Sequence, residues 1–239
     1  MKKIILNLFI ICNLIEGQVS IESIPKSFLS NKVFIQDEII LPSVNIEELI
    51  EEDRLEMEST DIKPYKFAET IEVDFNMENS GNWTVLEDGS TVWQLKIISD
   101  GAYSLNLIYD VYHIPPGAEF FLYSEKSEQI LGAFTDFNHK PHGGFSTAPT
   151  MGDSVVLEYN EPANSIFNGQ INITSVAHDY KNIFSKNSNR GYGDSGSCNN
   201  NANCPEGDEW EEEIRSVAMI LTSGGSRICT GSLINNTEQ

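Results

Sequence analysis

The 239 residues carry 36 acidic side chains against 15 basic ones, a formal net charge of −21 at pH 7. That balance makes nucleic acid and anionic membrane surfaces poor partners, since backbone phosphates have to be met by clustered Lys and Arg. With 40% hydrophobic and 10% aromatic residues the chain is not globally disordered, and it can bury a core as one large domain or two small ones.

Lys2 and Lys3 stand ahead of an apolar run, Ile4 to Ile11 with a weak extension to Ile15, and Gly17 offers a small residue for cleavage. Residues 1–17 therefore read as a signal peptide, and the rest of the chain as secreted, extracellular or periplasmic. The run is too short for a bilayer, which takes about 20 apolar residues in a helix, so stable membrane insertion is not expected. A retained anchor is the alternative, because Ile15 and Glu16 make an imperfect cleavage site. Cys12 follows the bulky Ile11, which does not fit a lipid anchor.

Residues 18–66 form an acidic segment with one short helix. Asn45 and, three residues on, Glu48 make a capping-box pattern ahead of Ile46, Leu49, Ile50 and Met57. From Asp37 to Glu58 nine acidic residues meet one basic residue, Arg54. Such a run is a solvated helix face or a surface that docks on a basic partner.

From Phe67 the period changes to two: Ile71, Val73, Phe75 and Met77 alternate with Glu72, Asp74, Asn76 and Glu78, as in a half-buried strand. Trp83–Leu86 and Thr91–Ile97 flank Glu87-Asp88-Gly89-Ser90, whose Asp-Gly signals a hairpin. Further strands are predicted at Tyr103–Tyr112, Phe120–Tyr123, Gln129–Phe134, Ser154–Tyr159 and Ile171–His178. Pro115-Pro116-Gly117, His142-Gly143-Gly144 and Pro149 to Gly152 separate them. Short strands at this spacing, with no helical periods between them, predict an all-β fold with a β-sandwich over residues 67–180.

Residues 181–192, with Lys181, Lys186, Asn187, Ser188, Asn189, Arg190 and Gly191, read as an exposed linker open to proteolysis, with Lys186 and Arg190 as candidate processing positions. Cys198, Cys204 and Cys229 remain once the signal peptide is gone. Three is odd for an exported chain, so a free thiol or a partner outside the sequence is implied; Cys198 and Cys204 could also bridge each other. A Cys-x5-Cys pair without a following His pair lacks zinc-ligand spacing. His113, His139, His142 and His178 are scattered, and His139-Lys-Pro-His142 reads as a solvated loop. No metal or cofactor is expected.

Several phrases resemble the pro-region of bacterial lysyl endopeptidases and their trypsin-like relatives. They are Trp93-Gln-Leu95-Lys-Ile97, Gly101-Ala102-Tyr-Ser-Leu105, Ile114-Pro115-Pro116-Gly117-Ala118, Gly152-Asp153-Ser-Val-Val-Leu-Glu158 and Val176-Ala-His178-Asp-Tyr180. Each is short, but their order spans most of the sandwich. Gly193-Asp194-Ser195-Gly196-Ser197-Cys198, then Cys204-Pro205-Glu206-Gly207-Asp208, then Ile214-Arg215-Ser216-Val217 resemble the start of the mature enzyme in that family. Ile214–Ile220 and Cys229-Thr230-Gly231-Ser232-Leu233-Ile234-Asn235 are similar to the first hairpin of its β-barrel, with the turn at Thr222–Ser226.

The resemblance implies a secreted serine endopeptidase precursor: residues 18–66 and 67–180 as pro-segment and pro-domain, residues 193–239 as the opening of a truncated trypsin-like domain. It implies peptide hydrolysis after basic residues by a Ser-His-Asp triad, acting on protein substrates and lying beyond Gln239, so that these residues contain no catalytic group. The partner of the pro-domain would be its own downstream protease domain. By the same resemblance Cys198, Cys204 and Cys229 would form disulfides with later cysteines. Gly193-Asp194-Ser195-Gly196 suggests a nucleophile at Ser195. Its place ahead of the barrel, and Ser197 where the motif needs glycine, argue against that role, because the serine comes last of the triad in this arrangement. Two other readings stay open: a stand-alone sandwich binding protein or glycan through aromatics such as Trp83, Trp93, Tyr109 and Tyr112, and a secreted inhibitor that uses the acidic segment.

Overall fold

A computed structural model describes residues 19–30, 35, 37–57, 63–125, 129–184 and 205–232. The fold is all-β with few helices. The elements run α1 (Lys26–Leu29), β1 (Glu38–Ile40), α2 (Ile46–Met57), β2 (Tyr65–Lys66), β3 (Ala68–Asn76), β4 (Asn82–Val85), β5 (Thr91–Ile98) and β6 (Ser104–His113). They continue with β7 (Glu119–Tyr123), β8 (Ile130–Phe134), β9 (Phe145–Ser146), β10 (Thr150–Met151), β11 (Ser154–Glu161), β12 (Gln170–Asp179), α3 (Glu211–Ser216), β13 (Val217–Leu221) and β14 (Ser226–Ser232).

One sheet runs β1-β5-β11-β7-β8, with β4 also on β5; a second runs β10-β6-β12-β3, with β9 on β6. Their inner faces share one core. Trp93, Leu95 and Ile97 of β5 and Val155, Leu157 and Tyr159 of β11 meet Leu105, Leu107, Tyr109 and Tyr112 of β6 and Ile171, Ile173 and Val176 of β12. In β3 the alternation works as the pleat demands: Ile71, Val73 and Phe75 pack on that core while Glu72 and Asp74 face water.

The Asp-Gly hairpin forms between β4 and β5. Gly89, at φ +81°, takes the left-handed turn position, and Leu86 N–H donates to Ser90 O at 2.8 Å. On α2, Asn45 Oδ1 accepts from Glu48 N–H at 3.3 Å, as the capping pattern predicts. The Glu48 carboxylate accepts from the Asn45 side-chain amide at 3.0 Å. Leu49 is buried, whereas Ile50 and Leu55 are more than half exposed, so the helix lies on the surface by a narrow stripe.

The segment ahead of the sandwich is woven into it. Ile21 exchanges backbone hydrogen bonds with Ala133 of β8, at 3.0 and 3.2 Å, and the Asn138 side chain clasps the Val19 N–H and C=O. β1 pairs in parallel with Lys96–Ile98 of β5, on the edge that β4 leaves open. This cover buries the outer face of the first sheet, where Phe121, Tyr123, Ala133 and Val156 form a second cluster. Glu158, fully buried there, accepts from Ser27 N–H, Gln94 Nε2 and the Tyr123 hydroxyl, at 3.1–3.2 Å. A buried carboxylate held by several donors is far less costly than a bare one.

Candidate functional site

The third sheet, β13-β14-β2, joins the C-terminal hairpin to the sandwich. Its hairpin turns at Thr222–Ser226: Thr222 N–H donates to Ser226 O at 2.8 Å and Ser226 N–H to Thr222 Oγ1 at 3.2 Å. Ile214–Ser216, read as part of the first strand, instead close α3. Glu211–Glu213 are good helix formers and favour its positive N-terminal end, and Ser216 Oγ donates to Glu213 O at 2.7 Å in the last turn. The strand begins at Val217, where the apolar alternation begins.

The turn is seated on the sandwich around Gly225. The Gly225 carbonyl accepts from both Phe67 N–H, at 2.8 Å, and Ala68 N–H, at 3.1 Å. Gly225 sits at φ +68°, and a Cβ there would run into the Ala68 carbonyl, so glycine is required twice over. On either side, Ser226 and Arg227 pair with Lys66 and Tyr65 of β2, and Thr70 Oγ1 donates to Ser223 O at 3.3 Å. Leu221 closes the seat over Phe67, Ala68 and Ala177.

Beside this seat the chain leaves β12. Asp179, almost fully buried, accepts from Ser104 Oγ, Lys181 N–H and Ile183 N–H, which fixes the first residues of the stretch read as a linker. The Lys181 ammonium lies 2.7 Å from Asp53 of α2, 4.5 Å from the Tyr65 ring centre and 5.2 Å from that of Tyr180. Tyr180 hydroxyl donates to the same Asp53 carboxylate at 3.0 Å. One acidic side chain of α2 thus ties the helix, the exit from the sandwich and β2 together.

A serine–histidine pair that the sequence does not announce is also present. Ser99 Oγ lies 2.7 Å from His178 Nδ1, a distance fit for proton transfer. Both residues are completely buried, so no substrate reaches them, and the pair works as packing. Burial holds the His178 pKa below its usual value, against the opposing pull of the Asp179 and Asp100 carboxylates. The folded protein therefore takes up this proton less readily than the unfolded chain, which does so below about pH 6.5. Stability should fall as pH drops through that point, by up to about 1.4 kcal/mol per pH unit from this group. Urea unfolding at pH 7 and 5.5 should show the slope shrink in His178→Gln; an unchanged slope would contradict it.

The other singled-out residues have structural surroundings. His139 Nδ1 contacts Tyr112 O at 2.9 Å, the His113 ring stacks between His139 and Phe167, and His142 accepts from Gly144 N–H. Trp93, Tyr109 and Tyr112 are core residues, which leaves Trp83, 44% exposed, as the one accessible ring of the four named for stacking. Two open clefts have mixed linings: one of about 270 Å3 sets Asp74, Glu78 and Gln170 beside Met77, Val111 and Ile171, and one of about 450 Å3 sets Glu48, Glu52, Glu69 and Lys66 beside Leu49 and Ile71. Cys229 carries a free, exposed thiol on β14, opposite Ile220 of β13. Lys186, Arg190, Ser195, Cys198 and Cys204 lie outside the described residues. Among the described residues no helix is long and apolar enough to cross a membrane.

Residues 192–239 match the family model described as lysyl endopeptidase, C-terminal domain, which relates this part of the chain to that type of protease. No solved structure matches the chain.

Proposed function

We propose that the chain is the N-terminal part of a secreted serine endopeptidase precursor: residues 1–17 its signal peptide, the sandwich with its acidic segment its pro-domain, and the C-terminal hairpin the opening of its protease domain. The observation that carries this reading is the lysyl endopeptidase match over residues 192–239, on the stretch that includes the β13–β14 hairpin and Cys229. The parent enzyme hydrolyses peptide bonds after basic residues in protein substrates. It does so through an acyl-enzyme formed by a Ser-His-Asp triad with a backbone oxyanion hole, chemistry that needs no metal or cofactor.

The catalytic groups belong to parts of the enzyme outside these 239 residues. The buried Ser99–His178 pair is not one of them, and Ser195 stands ahead of the hairpin rather than after a histidine and an aspartate. The sandwich serves the protease domain as folding aid or latency device, and processing in the 181–192 stretch, at Lys186 or Arg190, frees the mature start. Cys198, Cys204 and Cys229 await partners in the same later part.

The purified chain should not hydrolyse a lysyl or arginyl ester above the buffer rate, with or without cleavage in that stretch. Turnover that survives repurification and is lost in Ser195→Ala or Ser99→Ala would overturn the assignment of the chemistry elsewhere.

A further inference from the structure

We infer that the seat formed by β2, Phe67 and Ala68 is a tether-dependent clamp: it holds the C-terminal hairpin by strand addition while the chain is continuous and releases it once the connecting stretch is cut. This rests on the reading of the sandwich as a pro-domain only for its biological role. The clamp itself stands on the contacts.

The contact is the strand-addition mode of recognition, in which main-chain hydrogen bonds supply the affinity and small pockets the register. Register is fixed at Gly225, whose carbonyl takes two N–H groups where the Ala68 backbone admits no side chain. Leu221 fills the adjoining apolar pocket against Phe67 and Ala177. The seat is held in place from behind, because Tyr65 of β2 lies under the Lys181 ammonium, itself paired with Asp53, and Phe67 O accepts from Tyr180 N–H at 3.2 Å.

Size decides how the contact behaves. A stable interface takes roughly 20–30 residues on each side. Among the described residues Tyr65–Ala68, Thr70 and Ala177 meet Leu221–Arg227, a patch several times smaller. A short covalent connection supplies an effective concentration on the order of millimolar, against which even a weak contact is mostly formed. Severed, the same two surfaces meet at the micromolar concentration of the protein, and the contact opens. Cleavage of the connection thus becomes the release step, with no conformational change needed inside the sandwich.

Hydrogen exchange on the full 239-residue chain tests this. Three samples at about 10 µM suffice: the intact protein, the protein cut by trypsin between Phe184 and Pro205 with the site verified by mass, and uncut Gly225→Val. The Phe67 and Ala68 amides should exchange at least tenfold faster in the cut protein and in Gly225→Val than in the intact one. The Val176 and Leu107 amides, in the β12–β6 ladder, should stay protected in all three, which shows that the sandwich remains folded. The released piece should also leave the sandwich on gel filtration. Retained Phe67 and Ala68 protection after cutting, or in Gly225→Val, would overturn the clamp. A chain that passes this test yet does not promote refolding of the parent protease would sink the pro-domain role alone. Promotion of refolding that Gly225→Val leaves intact would sink the clamp alone.

Discussion

Trp93→Ala is expected to cost the sandwich about 3–5 kcal/mol, the range for emptying a fully buried large aromatic site. Trp93 is completely buried at the centre of β5, between Trp83 of β4 and Tyr159 of β11 in the register. Its indole N–H donates to Ser80 O at 2.8 Å. Gly81 lies so close that a Cβ there would stand 2.5 Å from the indole nitrogen, so the turn before β4 is moulded on this ring. The loss is a large share of the 5–15 kcal/mol, roughly, that a domain has in total. Trp93→Phe keeps most of the bulk and gives up the hydrogen bond, so it should cost about 1–2 kcal/mol. Urea midpoints at constant slope separate the two; equal, small losses would show that the ring is not the keystone of the core.

Asp53→Ala has the second largest expected effect, on proteolysis more than on folding. The Asp53 and Lys181 side chains are only 13% and 15% exposed, so removal of the carboxylate strands a poorly hydrated ammonium against two aromatic rings. Breaking a buried pair on one side costs about 3–5 kcal/mol, and the residual exposure here brings that to about 2. Lys181 should then swing out of the groove, taking the start of the linker with it. A protease that cuts after lysine should leave the Lys181 bond alone in the native protein, and cleave it at least tenfold faster in Asp53→Ala. Equal rates at Lys181 would contradict the latch. Asp53→Asn, which keeps a hydrogen-bond acceptor for Tyr180 without the charge, should fall between.

The longer strands between Phe67 and Tyr180 were legible from apolar runs or alternation bounded by turn residues, with β3 and the Asp-Gly turn before β5 the plainest cases, whereas β9 and β10, of two residues each, were not read as strands. Helix α2 was legible from Asn45 and Glu48. What local pattern does not carry is pairing at a distance. β1 has three residues, too few to show a period, and its parallel partner on β5 lies far along the chain. Gln94 and Glu158 alternate with core residues as solvent-facing positions should, yet they are buried because residues 19–30 cross over them. Likewise Ile214–Ser216 were read with the hairpin because they directly precede it, but the acidic residues before them draw them into a helix.

At the site, the place of Cys229 on a strand and the turn at Thr222–Ser226 followed from the resemblance of this stretch to a protease hairpin. Gly225 was visible as a turn glycine, not as the point of contact with Ala68, because nothing local tells a glycine needed for φ from one needed for close approach. Lys181 read as the first residue of an open linker. Its neighbours Asp53 and Tyr65 come from helix and strand far upstream, so only the fold reveals that it is held.

Refolding of the denatured parent protease, with and without the 239-residue chain in trans, tests the central claim most directly. The account predicts that recovered peptidase activity rises several-fold when the chain is present, and that the chain alone contributes none. Recovery unchanged at a tenfold molar excess of folded chain, its Val176 and Leu107 amides protected, would contradict it.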